Sequence, residues 1–149
     1  MANRKITVQE KRERRNALLE IMFESEFRKD ESPEEIYIVS SEERELSLDV
    51  RNYVKTIYFD LKDKLDVIDE YINKAAQGWK TKRISKLSLC ILRIATYEML
   101  YAEDIPAVIS INEAVELSKK YDDPKAKSFI NGVLNKVKDL IETPDNNNE

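Results

Sequence analysis

The chain has 149 residues, a net charge of −4, no histidine, two glycines, four prolines and one cysteine. At 42% hydrophobic and 36% charged, it can bury a real core but has little turn material, which favours an all-helical fold. Without histidine, a Ser-His-Asp or Cys-His centre and a His-ligated zinc site are excluded, and Gly78 and Gly132 lie too far apart to form a phosphate-binding loop.

Cys90 has no second cysteine for an internal disulfide. No stretch approaches eighteen uncharged apolar residues, and the opening "MANRKITVQEKRERR" lacks the apolar core of a signal peptide. These features point to a cytoplasmic protein. The carboxylates are scattered along helical faces as solvated surface, so the sequence reads as a non-enzyme needing neither metal nor cofactor.

Residues 7–28 read as a first helix. Thr7 can cap it, Glu10 completes a capping box, and Leu18, Leu19, Met22, Phe23 and Phe27 supply its apolar side. "KDESP" (29–33) breaks it, and Pro33 opens a short second helix through Ile36 and Val39; "SSEERELS" reads as a polar connection. Residues 47–62 form a third helix on Val50, Val54, Ile57, Tyr58 and Leu61. Leu65, Ile68, Ile72 and Ala75 mark a fourth, stopping near Gly78.

Residues 83–101 form a helix apolar over a wide arc, with Leu87, Ile91, Ile94, Ala95 and Met99 on one side and Ile84, Leu92 and Tyr97 widening it. Such a helix has neighbours on several sides. Arg93 lies within it and must be paired; Glu113 and Glu116 are the candidate partners. Asp104 and Pro106 signal the start of the next helix, through Val108, Ile111 and Val115 to about Tyr121. "DDP" (122–124) starts the last one, through Phe129, Val133, Val137 and Leu140. Asn112 and Glu113 read as packing or capping groups. Residues 1–142 thus make one bundle of six or seven helices, with 143–149 as a frayed tail.

The charge is unevenly spread. Residues 1–15 carry Arg4, Lys5, Lys11, Arg12, Arg14 and Arg15 against Glu10 and Glu13, a net of +4. Residues 16–60 carry −7. Residues 71–97 hold Lys74, Lys80, Lys82, Arg83, Lys86 and Arg93 without one carboxylate, a net of +6. Two basic segments in an acidic chain can focus a positive potential and attract phosphates. Single-stranded RNA is held by such cations while its bases stack on planar side chains; Trp79 is a candidate platform as well as a candidate core residue.

Three stretches carry a family resemblance: "ILRIATYEML" (91–100), "IPAVISINEAVELSKKY" (105–121) and "KSFINGVLNKV" (127–137). In this order and spacing, with Trp79 and Arg83 before them and an Arg-rich first helix, the chain resembles the NusB transcription antitermination family. The resemblance covers nearly the whole chain, strongly from 79 to 137 and weakly from 30 to 70.

It implies an all-α fold of two packed helical subdomains. It also implies binding of a boxA-type RNA element in ribosomal RNA leader transcripts together with NusE, a small-subunit ribosomal protein, so that RNA polymerase reads through terminators. On this reading Arg4, Lys5, Lys11, Arg12, Arg14 and Arg15 contact RNA, helped by Lys80, Lys82, Arg83 and Lys86. Asp122, Asp123, Lys125 and Phe129 form the partner surface. Phe129 also reads as a core aromatic, and a half-buried position suits both roles. Gly132, costly inside a helix, is expected to serve close approach to a neighbouring helix.

The chain departs from the family pattern at Ser88 and Lys125, where many members carry an acidic residue facing basic NusE; Asp122 or Asp123 could compensate. Glu13 and Glu20 dilute the basic first helix. Two other readings stay open: a helical adaptor that binds protein alone, and a divergent NusB-like RNA-binding module serving ribosomal RNA maturation. The sequence also leaves homodimerisation open.

Overall fold

The first helix begins where the sequence expects it. In the computed structural model, which describes residues 5–76 and 84–143, the Thr7 hydroxyl accepts from the Glu10 amide (3.0 Å) and the Glu10 carboxylate accepts from the Thr7 amide (2.9 Å). This reciprocal box satisfies two otherwise orphaned donors. Seven α-helices are described: α1 (Val8–Ser25), α2 (Pro33–Glu43), α3 (Leu48–Asp63), α4 (Leu65–Ala75), α5 (Lys86–Tyr101), α6 (Ala107–Tyr121) and α7 (Ala126–Glu142). No strand occurs among the described residues. The chain divides into two compact units, Met1–Lys62 and Asp63–Glu149. None of the described helices is long and apolar enough to cross a membrane.

In the first unit, Leu18, Leu19, Ile21 and Met22 of α1, Ile36 of α2 and Val54, Tyr58 and Leu61 of α3 are buried. Helix α1 stops three residues before the expected Arg28, because the amides of Glu26, Phe27 and Arg28 turn back to carbonyls only three residues away. That tightened turn swings Phe27 outward: it is 63% exposed, its ring edge-on to Phe23 at 5.0 Å, and it is not a core residue. Ser32 and Glu35 form a second capping box around Pro33.

Helix α2 then runs through half of the stretch expected as a polar connection. Ser40 and Ser41 are buried in it, and Ser40 donates to a carboxylate oxygen of Glu24 at 2.5 Å. Glu24 also receives Arg28 and Arg44, Arg44 reaches Glu20 at 3.1 Å, and Arg28 bonds Glu31 through two nitrogens. Ser40 is therefore the buried edge of an ion-pair network, while the Ser41 hydroxyl is buried without a hydrogen-bond partner.

In the second unit, Ile68, Ile72 and Ala75 face inward from α4 as the spacing requires. The expected stop at Gly78 lies outside the described residues. Ser85 caps α5, its hydroxyl accepting from the Ser88 amide at 3.2 Å. Every residue from Ser88 to Glu98 is buried, so α5 is the central helix that its wide apolar arc predicts. Helix α6 starts at Ala107 with Pro106 as its extended N-cap and no side-chain cap; Asp104 does not cap it. Before α7, Asp123 accepts from the Lys125 amide at 2.8 Å.

Gly132 overturns its expected role. It is exposed on α7, and a methyl group placed on it would meet no atom within 4 Å. Among the described residues, no neighbouring helix comes close to it. Gly132→Ala should therefore raise the unfolding free energy by about 0.5–1 kcal/mol in the isolated protein, read by chemical denaturation.

Glu24 links the first unit to pH. Burial raises its pKa, but the bonds from Ser40, Arg28 and Arg44 outweigh burial and hold it below 4.5. The folded state thus binds this proton less readily than the unfolded chain. The resulting stability is present above pH 4.5 and is lost as pH falls through the folded value. Glu24→Gln should lower the melting temperature at neutral pH and flatten its fall below pH 4.5, as thermal melts across pH 3–7 would show.

Candidate nucleic-acid interface

Helix α1 sorts its cations by position. Lys5 lies exposed just before the helix, and Lys11 and Arg12 are exposed on its first turns. Arg15, expected on the RNA surface, is instead buried at 7% exposure, because it falls on the same side as Leu18, Leu19 and Met22. Arg14 is engaged: its Nε and Nη2 bond the two carboxylate oxygens of Asp49 on α3, at 3.1 and 2.5 Å. Its guanidinium carbon also lies 5.2 Å from the centre of the Tyr53 ring. The bonds to Asp49 raise the Arg14 pKa against the opposing effect of burial. Arg4 lies outside the described residues.

Of the second basic segment, Lys80, Lys82 and Arg83 lie outside the described residues, as does Trp79. Lys86 is exposed at the first position of α5. Arg93 is a tether: its Nε and Nη2 bond the two carboxylate oxygens of Asp69 on α4 at 2.9 and 2.7 Å, with 10% of the side chain exposed. This two-bond clamp comes from Asp69 on the preceding helix, a carboxylate that the spacing did not single out. The sequence held a faint signal, since Asp69 sits directly beside the buried Ile68–Ile72 stripe and so can reach inward. Glu116 pairs with Lys119 at 3.1 Å.

Asp122, Asp123, Lys125 and Phe129 fall together in the turn between α6 and α7 and the first turn of α7. The Ser88 hydroxyl donates to Asp122 at 2.6 Å, and the other Asp122 carboxylate oxygen accepts from the Asp123 amide at 2.7 Å. Ser88, a position where the resemblance implies a carboxylate, thus holds the carboxylate of Asp122. Lys125 is exposed and Phe129 half-buried. Asn112 is exposed in the interior of α6, neither a cap nor a packed residue, while Glu113 is half-buried. Sequence reasoning missed Asp49, Tyr53 and the exposed Phe27; the first two have no local signature, because their roles come from α1 meeting α3.

The chain is similar to known proteins over most of its length. The NusB family model matches residues 12–139. A transcription antitermination protein NusB from Ruminiclostridium cellulolyticum is 41% identical over 127 residues, covering 85% of this chain and 87% of that one. NusB from T. maritima superposes with a TM-score of 0.79 at 31% identity, over 86% of this chain and 89% of the other. A chain from the crystal structure of antitermination factors NusB and NusE in complex with double-stranded RNA shares the fold at 23% identity. Its TM-score is 0.79, over 90% of this chain and 99% of that one. With its three C-terminal motifs carried on α5, α6 and α7 and its family match running from the basic first helix to the last, the chain belongs to the NusB family.

Proposed function

We propose that this chain is a cytoplasmic, non-enzymatic transcription antitermination factor. It binds boxA-type RNA of ribosomal RNA leader transcripts together with NusE and promotes read-through by RNA polymerase. Residues 1–142 are its NusB-like RNA-binding domain and 143–149 a tail. The observation that carries this reading is the family match over residues 12–139, with a relative of 41% identity that is itself an antitermination protein. The exposed Lys5, Lys11 and Arg12 give it a physical basis, since cations exposed together at the start of one helix can neutralise backbone phosphates. Lys86 and the second basic segment extend the RNA contact.

The test is binding of labelled boxA-type RNA, with and without NusE, over a range of salt concentrations. Lys11→Ala combined with Arg12→Ala should weaken binding and reduce the slope of log affinity against log salt by about 1.4, roughly 0.7 for each single-strand phosphate that is no longer neutralised. Unchanged affinity and slope in the folded double mutant would remove α1 from the interface. Arg15→Ala, by contrast, acts on folding.

The partner surface is the Asp122–Lys125 turn with Phe129, and Gly132 supports it. Three residues beyond Phe129, it leaves bare helix backbone on the outside of α7. Phe129→Ala should cut NusE affinity at least about 30-fold, equivalent to 2 kcal/mol, while RNA binding persists. A loss of roughly 3–5 kcal/mol of stability instead would assign Phe129 to the core. A protein-only adaptor is the second reading, favoured by the exposed Phe27; it requires NusE-type binding with no RNA affinity.

A further inference from the structure

Arg14 is charged, lies three residues from exposed Lys11 on the same side of α1, and yet already holds a carboxylate. Building on the RNA-binding reading above, we propose that Asp49 is an intramolecular competitor for RNA, occupying on Arg14 the place a backbone phosphate would take.

The geometry has three parts. Arg14 presents Nε and Nη2 as a two-pronged donor, the arrangement that fits a carboxylate or a phosphate equally well. Tyr53, one turn beyond Asp49 on α3, lies under the guanidinium at 5.2 Å, so the planar group remains supported when its anionic partner changes. Exposure differs between the two partners: the Arg14 side chain is 19% exposed and that of Asp49 is 51% exposed. The carboxylate therefore sits on the solvent side of the pair, where an incoming phosphate can displace it. Each displacement exchanges one anion for another, so Arg14 adds less to RNA affinity than its charge suggests. Asp49 thereby sets that affinity below the ceiling of the basic helix.

Asp49→Asn keeps the shape and removes the competing charge. It should tighten binding of labelled boxA-type RNA roughly three- to tenfold at low salt, because the phosphate no longer has to displace a carboxylate from Arg14. Adding Arg14→Ala to Asp49→Asn should abolish the gain. In the wild-type protein, the NMR signal of the Arg14 Nε–H should move on RNA titration as its bond to Asp49 is exchanged; this readout needs no variant to fold.

Unchanged or weaker RNA binding by Asp49→Asn, a gain that survives Arg14→Ala, or an Arg14 signal indifferent to RNA would each overturn the competitor. Wild-type protein without salt-dependent RNA binding would sink the RNA-binding reading together with this inference. Binding that responds to Lys11 and Arg12 but not to Asp49 would sink this inference alone.

Discussion

Between Ser88 and Glu98, α5 has no exposed residue, and every polar group on that stretch has to be satisfied inside the fold. Arg93 reaches α4 through Asp69, Glu98 accepts from Ser110 of α6 at 2.8 Å, and Ser88 holds Asp122 at the start of the α6–α7 turn. Apolar packing alone would allow the helices of the second unit to slide. These three links fix α4, α6 and the turn before α7 to positions along one helix. Cutting one partner from such a pair costs more than the bond itself, because the remaining charge is left buried, an effect of about 3–5 kcal/mol for a fully buried pair. Thr96 is the exception, since its buried hydroxyl has no partner, and its methyl group is the part of the side chain that the core uses.

The same logic divides cations into structural and accessible ones. Arg14, Arg15, Arg28, Arg44 and Arg93 are positive in the sequence but are buried or paired with named carboxylates. Among the described residues, the cations exposed toward solvent near the start of α1 are Lys5, Lys11 and Arg12. A charge count over a segment therefore overstates its usable potential. Arginine is drawn into these internal pairs because its planar fork meets a carboxylate through two bonds. Lysine, with a compact and strongly hydrated charge on a flexible stem, stays outside.

Helix positions were legible wherever period and cap agreed. Thr7 with Glu10, Val54 with Tyr58 and Leu61, and Ile68 with Ile72 all occupy the places their spacing assigns. Legibility failed where tertiary contact overruled local character. Ser40 and Ser41 look like loop residues, yet both are buried, and Ser40 finds its partner in Glu24, whose arginines make a polar interior edge there. Phe27 looks like core, yet the tightened end of α1 turns it outward. The clamp of Asp69 on Arg93 was barely legible, because spacing shows which face a residue occupies but not which helix lies opposite. The candidate surfaces were legible as segments. Which of their members are accessible depended on those same contacts.

Gly132 shows where local reasoning gives the right residue and the wrong cause. A glycine in a helix interior loses stability relative to alanine, so some contact has to justify it, and a neighbouring helix of the same chain was the natural candidate. The space above Gly132 is empty, which removes close helix packing as its reason. What remains is the position itself: α7 carries Phe129 half-buried at its first turn, the Ser88–Asp122 bond fixes the turn before it, and Gly132 follows on the exposed side three residues later. An aromatic that only partly enters the core and a length of uncovered backbone beside it are both unfavourable for the isolated protein. Both become favourable when another chain covers them. Helix propensity therefore disfavours glycine at 132, and among the described residues no contact to another part of the chain offsets that cost.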